Sequence, residues 1–130
     1  MPVEILLVED NGADVRVIKE IVSHSTVAVR ITVAEDGEKA LALLADPQFK
    51  PDLIITDMIL RKISGTELLQ RCNADSIPVV VFSASKNPAD ITKAHELGAK
   101  DFVEKPADID QYTEAVWKMI WKWTQRSALG

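Results

Sequence analysis

Short apolar runs rich in valine and isoleucine alternate along the chain with longer segments whose apolar residues recur every three to four positions. That alternation predicts a parallel β-sheet with crossover helices. Strands are expected at 3–8, 27–34, 52–56, 77–82 and 100–103. Three of them are continuous apolar blocks, as for strands covered on both faces. The second is more polar, with Arg30 and Thr32 interrupting it, and is expected at a sheet edge. Helix starts are marked by Asn11 with Asp14 three residues on, by Asp36, and by Asn87-Pro88 with Asp90, while Gly98 marks a helix end. In the last helix Ile109, Tyr112, Val116, Ile120 and Trp123 form one stripe expected to face the core, and Trp117 and Trp121 lie off it.

A chain of 130 residues and 14.4 kDa has room for one compact domain, expected at 1–124 with a short tail at 125–130. Its 47% hydrophobic and 27% charged residues suit a chain that buries a core. Fifteen basic against twenty acidic residues give a formal charge of −5, which argues against non-specific binding to nucleic acid or an anionic membrane. The apolar runs are strand-length, well short of the roughly 20 residues that span a bilayer. A single cysteine, Cys72, cannot form an internal disulfide, and the start of the chain lacks the pattern of a secretion signal, so a cytoplasmic location is expected.

The acids fall at strand ends, and a parallel sheet places its ligand site outside the carboxyl ends of its strands. Glu9 and Asp10 follow the first strand and Asp57 the third. In a flavodoxin-like strand order, 2-1-3-4-5, these strands are neighbours at the point where the winding reverses, so the three carboxylates converge. Each acid alone is commonly a loop or cap residue, but together they would repel one another without a cation, and hard oxygen donors point to Mg²⁺. Ser83 follows the fourth strand with a hydroxyl that can donate to an anion, and Lys105 follows the fifth as a point charge. The set describes a pocket for a divalent metal beside a phosphoryl group.

The segments Ile5-Leu6-Leu7-Val8-Glu9-Asp10-Asn11, Pro51-Asp52-Leu53-Ile54-Ile55-Thr56-Asp57, Val81-Phe82-Ser83-Ala84-Ser85 and Asp101-Phe102-Val103-Glu104-Lys105-Pro106 give the chain, from about residue 3 to about 123, its resemblance to the receiver domain of two-component response regulators. The resemblance implies a flavodoxin-like (βα)5 three-layer α/β sandwich. It implies that Asp57 is phosphorylated by a sensor histidine kinase, with Mg²⁺ held by Glu9, Asp10, Asp57 and the backbone carbonyl of Ile59. Ser83 and Phe102 would be the switch pair, Lys105 the phosphate-contacting lysine, and the Lys105–Pro106 peptide would be cis. Such a domain is a phosphoacceptor that assists its own phosphorylation and dephosphorylation rather than a metabolic enzyme.

The sequence departs from the family where a proline is usual, with Arg61 in its place, although Gly65 is kept. Ile59, two residues past the acceptor, is expected to shield the phosphoryl group from water. The stretch at 14–20 and the tryptophan-bearing last helix resemble single-domain regulators paired with bacterial phytochrome kinases. Output is then expected through a downstream protein, or through a homodimer built by the fourth helix, fifth strand and fifth helix, with Trp117 and Trp121 either as its anchors or packed under the tail or against a neighbouring helix. Two other readings compete: a receiver-like binding module that takes no phosphate, and a small Mg²⁺-dependent phosphohydrolase. The first usually lacks the acceptor, an acidic ligand or the lysine, all present here. The second would carry its nucleophile on the first strand.

Overall fold

A computed structural model describes residues 2–57, 68, 70 and 77–124. Its strands are β1 (Val3–Val8), β2 (Val29–Ala34), β3 (Leu53–Thr56), β4 (Val79–Ser83) and β5 (Asp101–Glu104). They form one sheet in the order β2-β1-β3-β4-β5, every neighbouring pair parallel. The described helices are α1 (Gly12–Ser23), α2 (Gly37–Leu44), α3 (Pro88–Glu96) and α4 (Ile109–Thr124). The last two are the expected fourth and fifth helices, because the segment between β3 and β4 falls mostly outside the described residues. This is the expected flavodoxin-like arrangement, with β2 at an edge.

Strand periodicity sorts the core into two layers. Val3, Ile5, Leu7, Leu53, Ile55, Val80 and Phe82 point to the face covered by α1 and α4, meeting Ile18, Ile21, Val116 and Ile120. Leu6, Val8, Ile54, Val79 and Val81 point to the opposite face, against Ala40 of α2, Ala94 of α3 and Leu68. The central strands are buried on both sides, which is why they read as unbroken apolar runs.

The helix starts lie where the caps were expected. Asn11 Oδ1 accepts from the amides of Ala13 and Asp14 at 2.9 and 3.3 Å, Asp36 Oδ1 from Lys39 at 2.8 Å, and Asn87 Oδ1 from Ala89 at 3.0 Å. α3 ends in paired reverse bonds: Gly98 donates to the His95 carbonyl at 3.0 Å and Ala99 to that of Ala94 at 2.9 Å. Gly98 makes this turn at φ 103°, in the left-handed region that favours glycine.

Several boundaries differ from expectation for local reasons. β2 begins at Val29 because the amide of Val27 is drawn into a turn by Ser25 Oγ at 3.0 Å. β4 begins at Val79, after Pro78, which has no N–H to give the ladder. Ile109, expected in the core stripe, is 58% exposed: it opens α4 just after Asp108, whose carboxylate caps the amides of Asp110 and Gln111. Met119 fills the core instead. The Lys105–Pro106 peptide is trans, not cis as the resemblance implied, the isomer that an Xaa-Pro bond favours intrinsically.

Candidate functional site

Three strand ends and the first turn of α1 meet around one ammonium group. Lys105 Nζ lies 2.7 Å from Glu9 Oε1, 3.1 Å from Asp57 Oδ2 and 3.1 Å from Asp14 Oδ2. The backbone sets these positions. Glu9 leaves β1 with its amide bonded to the Ala34 carbonyl at 3.0 Å, Asp57 leaves β3 with its amide on the Val8 carbonyl at 3.2 Å, and Lys105 leaves β5 with its amide on the Ser83 carbonyl at 2.8 Å. Because the strands are parallel and in register, their carboxyl ends open on one edge of the sheet.

Glu9 is only 3% exposed, and its other oxygen accepts from the Asn11 amide at 3.2 Å. Burial raises its pKa, assisted by the neighbouring charge of Asp57, while Lys105 pulls the other way without fully offsetting burial. Burial likewise works against the charge on Lys105. The hydrogen bond to Glu9, the charges of Asp57 and Glu9 and the hydrogen bond to Asp14 outweigh it and hold the ammonium's pKa above its ordinary value. Lys105 thus stays cationic across the physiological range, its side chain 11% exposed and 5.9 Å from the centre of the Phe82 ring.

Ser83 ends β4 almost fully buried, and its Oγ accepts from the Ser85 amide at 3.2 Å. Ser85 Oγ in turn donates to Asp90 Oδ2 at 2.7 Å and accepts from the Asn87 amide at 3.2 Å. The loop from β4 into α3 is therefore braced by side chains rather than packed, an arrangement that can shift without opening the core. Phe102, on β5 opposite Val81, is half-buried against the layer beneath α3.

Asp10 follows Glu9 at the end of β1 and is partly buried. Ile59, expected to lend a carbonyl, lies outside the described residues, as do Arg61, Gly65, Cys72 and the tail at 125–130. Among the described residues, no group of three or more His, Cys, Asp or Glu side chains forms a ready metal cage. The donor chemistry still fits a hard divalent cation. Mg²⁺ keeps several of its waters and needs only one or two carboxylates, and Asp10 and Asp57 end adjacent strands beside the buried Glu9.

Two residues of the cluster were not singled out from the sequence. Asp14 reads as a helix-cap acid and Tyr112 as part of the core stripe, yet the Tyr112 hydroxyl donates to Asp14 Oδ1 at 2.7 Å. A buried tyrosine hydroxyl needs a partner, which was the available signal. Burial, then the bond to Asp14 and the charges of Asp14 and Glu9, push the Tyr112 pKa up. Its ring meets Phe82 edge-on at 5.1 Å and 67°.

Trp117 and Trp121 stack on each other at 5.3 Å and 11°. They lie half-buried on the α1 side of α4, near His24, and not on the surface that α4 shares with β5. That surface is a groove of about 440 Å³ lined by Val103, Glu104, Pro106, Ala115 and Lys118 among others. The helical repeat explains the difference: positions 117 and 121 share one face, and 111, 115, 118 and 122 another. No described helix is long and apolar enough to cross a membrane.

Comparison with known proteins agrees with this geometry. The response regulator receiver domain model matches residues 5–117. The chain is 33% identical over 117 residues to response regulator Rcp1 of Synechocystis sp., covering 83% of this chain and 80% of that protein. It is 36% identical over 123 residues to the regulator of RpoS of Escherichia coli, covering 91% of this chain but 35% of that protein. It thus spans about a third of the length of that relative. The crystal structure of the phosphorylated cyanobacterial phytochrome response regulator RcpA superposes with a TM-score of 0.88 at 35% identity, over 95% of this chain and 94% of the other. The Mn²⁺-bound form of Rcp1 does so at 0.86 and 30% identity, over 96% of each chain. By sequence match, strand order and superposition alike, the chain belongs to the response regulator receiver domain family.

Proposed function

We propose that the chain is a phosphoacceptor switch in which Asp57 takes a phosphoryl group from a phosphohistidine of a sensor histidine kinase. The observation that carries this reading is the Lys105 ammonium, held 3.1 Å from Asp57 and 2.7 Å from the buried Glu9 at the carboxyl ends of neighbouring strands. An oxygen of the Asp57 carboxylate forms the new P–O bond while the P–N bond to the imidazole breaks, so one high-energy linkage replaces another. Lys105 supplies positive charge where the transferred group gathers negative charge. Glu9, Asp10 and Asp57, with the carbonyl of Ile59, would hold Mg²⁺, which would supply further charge neutralisation at the phosphoryl oxygens. The likeness to Rcp1 in its Mn²⁺-bound form supports a divalent ion here.

An acyl phosphate carries about −1.5 to −2 charges near neutral pH. It gives the Ser83 hydroxyl and Lys105 a strong acceptor, and Ser83 moves toward it with the loop that Ser85 and Asp90 brace. Phe102 then turns into the space released, reshaping the surface of α3, β5 and α4 for a downstream protein or a second copy of the chain. The match to RcpA supports a phytochrome-type kinase as donor. Incubation with acetyl phosphate and Mg²⁺ followed by intact-mass measurement should give a single phosphoryl adduct that Asp57→Asn abolishes. Absence of an adduct on the unsubstituted chain would sink the reading, and rapid turnover of acetyl phosphate with no adduct accumulating would convert it to a phosphohydrolase.

A further inference from the structure

Three carboxylates hold the Lys105 ammonium, and two of them are accounted for: Asp57 is the acceptor and Glu9 a candidate ligand. Asp14 is neither. It sits in the first turn of α1, three residues after the Asn11 cap, where an acid commonly folds back onto the cap's own amide. Here that amide is taken by Glu9 Oε2 at 3.2 Å. The Asp14 carboxylate turns instead across the mouth of the sheet, with Oδ2 3.1 Å from Lys105 Nζ and Oδ1 accepting from the Tyr112 hydroxyl at 2.7 Å. The Tyr112 ring is fixed by its edge contact with Phe82, the residue before Ser83.

We propose that Asp14 is a positioning residue for Lys105, an anion that competes with Asp57 for the ammonium, and that Tyr112 sets the strength of that competition. The inference rests on the phosphoacceptor reading of Asp57. A phosphoryl group there draws Lys105 toward it, and the Lys105–Asp14 bond is the one given up, since Glu9 is the more deeply buried partner. Asp14 then keeps its charge with the Tyr112 hydroxyl as its remaining partner of this pair, so the phenol lowers the cost of releasing the lysine. Removing the Asp14 charge frees Lys105 for the phosphoryl group. Removing the hydroxyl makes Asp14 depend more on Lys105 and holds the lysine back. The two substitutions therefore act in opposite directions, which a purely structural role for the pair would not produce.

The test uses the full chain with Mg²⁺ and beryllofluoride, a non-covalent mimic of the phosphoryl group, with bound fluoride read by ¹⁹F NMR. Asp14→Asn is expected to tighten binding about fivefold and Tyr112→Phe to weaken it about threefold, changes in the range of one charge-assisted hydrogen bond. In the Asp14→Asn background, Tyr112→Phe should change nothing. Equal shifts in the same direction, or a Tyr112→Phe effect that survives Asp14→Asn, overturn the proposal. Should Asp14→Asn not fold, unaltered or tighter binding by Tyr112→Phe alone overturns it. If the unsubstituted chain binds no beryllofluoride, the phosphoacceptor reading itself falls. Binding by the unsubstituted chain with unmoved variants removes only the role of Asp14 and Tyr112.

Discussion

The hydroxyl of Tyr112, on α4, donates to Oδ1 of Asp14, on α1, across 2.7 Å and 98 positions of sequence. This bond joins two helices on the same face of the sheet at the mouth of the candidate site. It also gives the buried end of an aromatic core residue its polar partner. Replacement by phenylalanine keeps the ring and its contact with Phe82 but strands one oxygen of Asp14. Tyr112→Phe is expected to cost about 1 kcal/mol of stability, read as a lower urea midpoint at unchanged slope.

Tyr112 is the only tyrosine of the chain, so phenolate absorbance reports on it alone. Burial first, then Asp14 and Glu9, disfavour its ionised form and raise its pKa. Native protein should therefore ionise at higher pH than the same chain in urea, where an exposed tyrosine titrates near about 10. With the folded value raised, the group's contribution to stability is complete below the unfolded pKa and is lost as pH climbs through the folded one. Coincident native and unfolded titrations would place the phenol in water and break the bond to Asp14.

Gly98 carries a different kind of constraint. At φ 103° it makes the turn that lets Ala99 close its bond to Ala94 and enter the core. A Cβ there is disfavoured by the backbone itself, so Gly98→Ala should destabilise the chain by about 1–2 kcal/mol. The site chemistry should be untouched, with acetyl phosphate still giving its adduct on Asp57. Loss of the adduct at full folding would mean that the turn after α3 controls the site directly.

The sheet was legible because its signal is local. Unbroken apolar runs such as Leu53 to Thr56 mark strands buried on both faces, and the starts of α1, α2 and α3 carried their own capping side chains. Glu9, Asp57 and Lys105 could be read as one group once the strand order was assumed, since each directly follows a strand. Boundaries were less legible where a turn competes with the ladder, as Ser25 does for the amide of Val27. The α4 stripe misplaced Ile109 because the first residue of a helix can extend past the end of the core it points toward. Trp117 and Trp121 were read as lying off the core stripe, yet both are half-buried against the core cluster on the α1 side, because periodicity alone does not say which neighbouring helix a second face meets. Asp14 escaped notice because a cap-like position offered a sufficient local explanation, and only the fold shows that Glu9 already occupies the Asn11 amide.

Lys105 pairs with Glu9, Asp14 and Asp57 together, and its side chain is only 11% exposed. Lys105→Met preserves much of the stem's packing near Phe82 while leaving three carboxylates to face one another. Breaking a fully buried pair costs about 3–5 kcal/mol, and partial access of water to Asp14 and Asp57 should reduce this to about 2 kcal/mol. A divalent cation held at the same acids can replace part of the missing charge. Mg²⁺ should therefore raise the melting temperature of Lys105→Met by more than that of the unsubstituted chain, because ligand stabilisation grows with affinity for the folded state. Asp10→Asn in the same background should remove most of that gain if Asp10 is a ligand. Equal shifts with and without the lysine would show that the acids hold their cation independently of Lys105, and the electrostatic coupling drawn across the strand ends would have to be given up.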